Sequence, residues 1–307
     1  DVELLPDERL VRGRVHMTYH NNSPEPLSYL WVHLEQNILR KDSIGTLTEG
    51  GAAMAQGESD PSEGVMLSDV SHDGKPLDYQ VYDTLMRVNL PQPLAPGARY
   101  ECDIAWSFHV PERVFRRYGT MQTKNGVIWE LAQWFPAAAV FDDVHGWNTL
   151  PYLGSGEFYT NYGNYELNIT APRDHLVVAS GELQNPDQVY TDEQLVRLGQ
   201  ARQGRQTVVI RGADEVTDAK SRPAGHGPLT WRFKAEQVRT VAWASSPAFV
   251  LDACSCSRPT PPSTRRNGAS RRRCCARRSK ATRGACGPTP TRSRPTSAAS
   301  RAAWSTR

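Results

Sequence analysis

Apolar and polar residues alternate along four stretches of the chain, the period-two signature of a strand with one face buried. Between Tyr100 and Phe108 the even positions are Tyr100, Cys102, Ile104, Trp106 and Phe108, with polar or small residues between them. Val11, Gly13, Val15, Met17 and Tyr19 form a second such face. Tyr165, Leu167 and Ile169 form a third, and Leu229, Trp231 and Phe233 a fourth. Residues 29–34 and 207–211 alternate less and read as strands covered on both sides. Turn signals punctuate these runs at Asn21-Asn22-Ser23-Pro24, Asp73-Gly74, Pro96-Gly97, Asn125-Gly126 and Asn185-Pro186. One helix is predicted over residues 191–201, capped by Thr191 or Asp192, with Leu195 and Leu198 facing inward. Residues 42–65 read as a long surface loop. Together these elements predict an all-β, antiparallel domain of sandwich or saddle type.

Charge divides the 307 residues into two unlike parts. Residues 1–253 carry 22 Lys and Arg against 33 Asp and Glu, a formal charge of −11. Residues 254–307 carry 14 basic residues and no acidic one, which brings the whole chain to +3. Five of the six cysteines (Cys254, Cys256, Cys274, Cys275 and Cys286) also lie there, and Ile, Leu, Val, Met, Phe and Tyr are absent. Such a segment cannot bury enough apolar surface to offset its chain entropy and is expected to be disordered. No apolar run of about 18 residues exists, so no transmembrane helix is expected. The sequence opens at Asp1 without Met or a signal-like apolar stretch, so upstream sequence is expected, and the compartment is left open.

Few residues in the ordered part suggest chemistry. His16-Met17-Thr18-Tyr19-His20 has the HxxxH spacing of a zinc helix, but it lacks the Glu that supplies the general base and sits on the polar face of a strand. Asp142-Asp143-Val144-His145 reads as a solvated polar loop. Cys102 belongs to an inward face and reads as packing. Asn21-Asn22-Ser23 and Asn168-Ile169-Thr170 match a glycosylation pattern that is common by chance. Nucleophile-elbow, P-loop and dinucleotide fingerprints are absent. In the tail, Arg271-Arg272-Arg273 and Arg277-Arg278 could engage phosphates without sequence preference, while the cysteine spacing, without His, fits no zinc pattern.

The middle of the chain resembles the zinc aminopeptidases of the alanyl-aminopeptidase, or gluzincin, type. The residues that carry the resemblance are Trp129-Glu-Leu-Ala-Gln-Trp-Phe-Pro136, Val140-Phe-Asp-Asp-Val-His-Gly-Trp-Asn148 and Gly156-Glu-Phe-Tyr159. It continues through Tyr162-Gly-Asn-Tyr-Glu-Leu-Asn-Ile-Thr170 to Gly181-Glu-Leu-Gln-Asn-Pro186. The openings Tyr19-His-Asn-Asn-Ser23 and Leu34-Glu-Gln-Asn37 resemble the bacterial branch. The resemblance implies a saddle-like N-terminal β-domain at residues 1–235, the first strand of a truncated catalytic domain at 236–253, and the basic tail at 254–307. It implies peptide as the substrate, zinc as the metal, and one β-domain Gln that holds the peptide's N-terminus. Gln133, in Ala132-Gln133-Trp134, matches that position, although Phe135 stands where some members carry an acid.

The family's GxMEN and HExxH motifs are missing, and no zinc ligand is identified in this chain. The tail has the composition of a GC-rich gene read out of frame. A shifted frame from Ser263-Thr264 can be decoded into an apolar helical stretch, then Pro-Tyr-Pro-Tyr-Pro, then Gly-Gly-Met-Glu-Tyr, which resembles GxMEN. The expectation is therefore an N-terminal fragment of a zinc aminopeptidase that is itself inactive. The alternatives are a non-catalytic β-domain acting as a binding module, or a β-domain with a nucleic-acid-binding tail.

Overall fold

The structure, a computed structural model, describes residues 1–48, 63–112, 117–153, 159–204 and 206–254. Tail residues 255–307 and the middle of the predicted loop, 49–62, lie outside the described residues. The all-β expectation is met, with strands β1 to β20 numbered along the chain.

The largest sheet has eight strands. Across it run β16 (Glu182–Leu183), β18 (Leu229–Val238), β14 (Gly163–Ala171), β1 (Val2–Leu5), β2 (Leu10–His20), β8 (Arg99–His109), β4 (Met66–His72) and β5 (Lys75–Pro76). A four-stranded sheet is ordered β15 (Leu176–Ala179), β19 (Trp243–Ser246), β10 (Gly126–Leu131), β9 (Gly119–Thr123). A second is ordered β11 (Ala137–Ala138), β3 (Leu27–His33), β7 (Leu85–Leu94), β6 (Tyr79–Tyr82). Two short ribbons pair β12 (Phe141–Asp142) with β13 (Gly146–Trp147), and β17 (Val208–Arg211) with β20 (Leu251–Ala253). All pairings are antiparallel except β1 with β14.

The alternating faces meet as the pattern predicts. In the long β2–β8 ladder, Val11 lies opposite Phe108, Gly13 opposite Trp106, Val15 opposite Ile104 and Met17 opposite Cys102. Cys102, Ile104, Trp106 and Phe108 are all buried, so Cys102 is a core residue. Gly13 is glycine because Trp106 covers it: a Cβ there would sit 2.8 Å from the indole and 2.7 Å from the Asp1 carbonyl. One contiguous core draws on all three large sheets, with Ile104, Ile169 and Trp231 from the first, Val177 and Trp243 from the second, and Val32 and Met86 from the third.

Local expectations hold with differences. Asp73-Gly74 turns β4 into β5 with both residues at positive φ, as a tight right-twisted hairpin requires. The helix spans Asp192–Gln203 and opens with a full capping box between Thr191 and Gln194. Its buried positions are Gln194 and Ala201, while Leu195 and Leu198 are only half-buried, because the helix packs on a two-stranded ribbon that covers little of it. The strand at 207–211 is exposed at Val209, for the same reason, and is not covered on both sides. By contrast, β3 is largely buried. The boundary at 235/236 falls inside β18, and Trp243–Ser246 lies between β15 and β10 in a shared sheet.

Candidate functional site

A concavity of about 1320 Å³ opens beside β2 and β14, and Gln133 lies in its wall. The local sequence explains how Gln133 comes to be there. Leu131 ends β10 with its side chain buried, and Trp134, three residues on, is also buried. Trp134 packs against Trp106 at 5.7 Å and edge-on to Trp243 at 6.0 Å, and its Nε1 donates to the Val241 carbonyl at 3.0 Å. Between these two anchors the chain turns through Gln133 at φ +51°, a left-handed conformation that costs a non-glycine residue about 1 kcal/mol or more. Gln36 Nε2 stabilises the turn by donating to the Gln133 carbonyl at 2.8 Å. Among the described residues the Gln133 Oε1 is buried with no donor.

Glu35, next to Gln36, lines the same concavity. It belongs to the short helix Glu35–Leu39, in which every residue is buried. Its two neighbours are committed to structure: Gln36 braces Gln133, and Asn37 bridges the Asp83 carbonyl and the Val65 amide at 2.7 Å each. Glu35 has no such task. Among the described residues no hydrogen bond or ion pair reaches its carboxylate, and burial pushes its pKa up to about 7. Burial, and secondarily the charge of Glu35, raises the Tyr165 hydroxyl. Tyr165 meets Phe135 edge-on at 5.9 Å, which gives the concavity an aromatic wall. Thr160 Oγ1, in a residue that also lines the concavity, is buried without a partner among the described residues. At the rim the Arg239 guanidinium lies 4.9 Å over the Tyr162 ring.

The remaining motifs are structural. Asp142 Oδ1 accepts from the backbone amides of Val144 and His145 at 2.9 and 2.8 Å, and Oδ2 accepts from Tyr159 Oη at 3.1 Å. Those bonds hold its carboxyl below the usual range and make the segment the turn of the β12–β13 hairpin. His16 and His20 lie four residues apart on an extended strand, about 13 Å along it, too far to share one ion. Among the described residues no group of three or more His, Cys, Asp or Glu could hold a metal, so the donors present do not fit zinc. Asn21 is buried and its amide donates to the Glu25 and Leu94 carbonyls, which closes that glycosylation position.

Gln133, the residue singled out from the sequence, lines the concavity, and so do Glu35 and Thr160, which the sequence did not single out. Periodicity marks apolar faces, and a buried acid in the run Leu34-Glu35-Gln36-Asn37 carries no local signal of its burial.

No protein-family model matches the chain, and no curated protein matches it. Among solved structures it is similar to the M1 zinc metallopeptidase from Deinococcus radiodurans, at 14% identity and a TM-score of 0.39. A mutant from the same organism, bound to a Tyr-Ser-Ala substrate, matches at 13% identity and a TM-score of 0.40. Each match covers 80% of this chain and 40% of the other, so the chain spans well under half the length of the structures it matches.

Proposed function

We propose that residues 1–253 are the N-terminal region of a zinc aminopeptidase and that the concavity beside Gln133 receives the free amine of a peptide. The observation that carries this reading is the state of Gln133: a residue matching the family's amine-holding Gln is set at a strained φ, braced through its backbone, and left with a buried side-chain oxygen that has no hydrogen-bond partner among the described residues. Strain held by the surroundings is the pattern of a binding residue. The terminal amide torsion is soft, so either end of the group can be turned toward a ligand at small cost.

In this reading the chain holds no zinc and hydrolyses nothing, since HExxH and GxMEN are absent from its 307 residues. Peptide hydrolysis belongs to a catalytic module that would follow residue 253 in the restored frame. The zinc would there act as a Lewis acid and activate water. Incubation of the chain with an aminoacyl-anilide is expected to release no product; release that a chelator abolishes would overturn this part of the proposal. Sequencing the gene across codons 253–263 and beyond tests the rest. A single inserted or deleted nucleotide followed by an open frame through GxMEN and HExxH is expected. A confirmed frame would make the tail a real feature of the protein.

A further inference from the structure

We propose that the outer face of the β3–β7–β6 sheet is a docking surface for a protein partner, and that Arg87 at its centre receives one carboxylate of that partner. The inference is independent of the amine reading of the concavity.

Three observations carry it. First, the register builds the face. Leu30, Val32, Met86 and Val88 turn their side chains to the core and are buried, so the period of two turns Tyr29, Trp31, Arg87 and Asn89 the other way. Trp31 stands directly opposite Arg87 on one side, and Gln80 of the edge strand β6 on the other. The Trp31 and Tyr82 ring centres are 5.6 Å apart, and those of Tyr29 and Trp147 are 6.5 Å apart. A half-exposed guanidinium is thus framed by Trp and Tyr, and Trp, Tyr and Arg are the residues that dominate binding where proteins meet.

Second, Arg87 is held in place and left unpaired. Its guanidinium lies 4.0 Å over the Tyr29 ring, a cation–π contact that orients it. Among the described residues no hydrogen bond or ion pair reaches it, and its Nε is closed off without a partner. Asp78, just before β6, is taken by the Asn89 amide, which donates to it at 2.6 Å. A side chain ordered before its partner arrives loses less freedom on binding.

Third, charge selects the partner. Residues 1–253 carry a formal charge of −11, a field that repels nucleic acid and other polyanions. The unpaired guanidinium is matched by a single carboxylate, which accepts two parallel bonds from its terminal nitrogens. The rings beside it are matched by apolar side chains. The partner is therefore a protein segment that carries one Asp or Glu between apolar residues.

The test is a titration of the full chain with acetyl-Leu-Asp-Leu-amide, followed by tryptophan fluorescence, with acetyl-Leu-Asn-Leu-amide as the uncharged control. Both peptides lack a free amine, so neither probes the amine site beside Gln133. The Asp peptide is expected to bind in the millimolar range, about 10-fold more tightly than the Asn peptide. The readout is the part of that preference that Arg87→Gln removes, since the basic tail gives both proteins the same background. Arg87→Gln is expected to remove most of it. Arg87→Lys keeps the charge but loses the planar fork; it is expected to lower the preference and serves in place of the Gln variant if that one does not fold. A preference unchanged by either substitution, equal binding of the two peptides to the parent chain, or binding of neither would overturn the proposal. Sedimentation of the parent chain alone as a dimer that Arg87→Gln dissociates would overturn it too, by giving the face to a second copy.

Discussion

The side-chain amide of Gln36 donates to the backbone carbonyl of Gln133 at 2.8 Å, bridging positions 97 residues apart. Through this bond a buried residue of the short helix Glu35–Leu39 sets the backbone of the residue on which the functional reading depends. Gln36→Leu leaves that carbonyl without its donor and is expected to cost about 1–3 kcal/mol. The measurement is a denaturant midpoint together with phenylalaninamide affinity. Both should fall; a variant that loses stability alone would show that Gln133 keeps its place without the brace.

Three buried titrating groups set the pH dependence of stability. Glu35, raised to about 7 from 4.5, keeps its proton in the folded state when the unfolded chain has released it, so stability falls as pH rises from 4.5 to 7, by about 3 kcal/mol. His33 and His175 are lowered by burial to about 4 from 6.5. The unfolded chain takes up a proton that each folded imidazole refuses, so stability is lost as pH falls from 6.5 to 4, by about 3 kcal/mol for each. Two histidines outweigh one glutamate across the shared window. Stability is therefore expected to climb to a maximum near pH 6.5 and then decline slightly to 7, a decline that Glu35→Gln abolishes. Denaturant midpoints from about pH 4 to 8 check this.

Two glycine substitutions should have opposite effects. Gly13→Ala forces a Cβ to 2.8 Å from the Trp106 indole and is expected to cost about 1–3 kcal/mol. Gly199 lies inside the helix Asp192–Gln203, and nothing stands within 4 Å of an added Cβ. Gly199→Ala is expected to gain about 1 kcal/mol from helix propensity. Thermal melts of the two variants, compared with wild type, provide the check.

The helix start is a third mechanical point. Thr191 Oγ1 accepts from the Gln194 amide at 3.3 Å, and Gln194 Oε1 accepts from the Thr191 amide at 3.1 Å. Thr191→Ala opens the capping box and is expected to cost about 1 kcal/mol. Gln194→Ala should cost more, since its Nε2 also donates to the buried Ser221 carbonyl at 3.0 Å. If the two variants melt alike, that long-range bond contributes nothing.

The faces of the strands were legible in the sequence, but their neighbours were not. Cys102, Ile104, Trp106 and Phe108 declare an inward row, yet nothing in that row says that β2 lies on one side and β4 on the other. A parallel pairing such as β1 with β14 leaves no turn to betray it. At the concavity, motif resemblance found Gln133, whereas Glu35 stayed hidden because burial of a charged group follows from what packs over it. Leu195 and Leu198 show the reverse error, where apolar spacing predicted more cover than the small β17–β20 ribbon provides.

The pairing of Val2 with Ile169 also dictates a timetable. During translation β1 and β2 leave the ribosome well before β14 and β18, which complete that half of the eight-stranded sheet and emerge only when synthesis has passed Val238. Contacts this distant in sequence slow folding, because the loop must close before any bond rewards it. Until then the apolar row of β2 is without half of its sheet, and the nascent chain exposes a surface prone to aggregation over that interval.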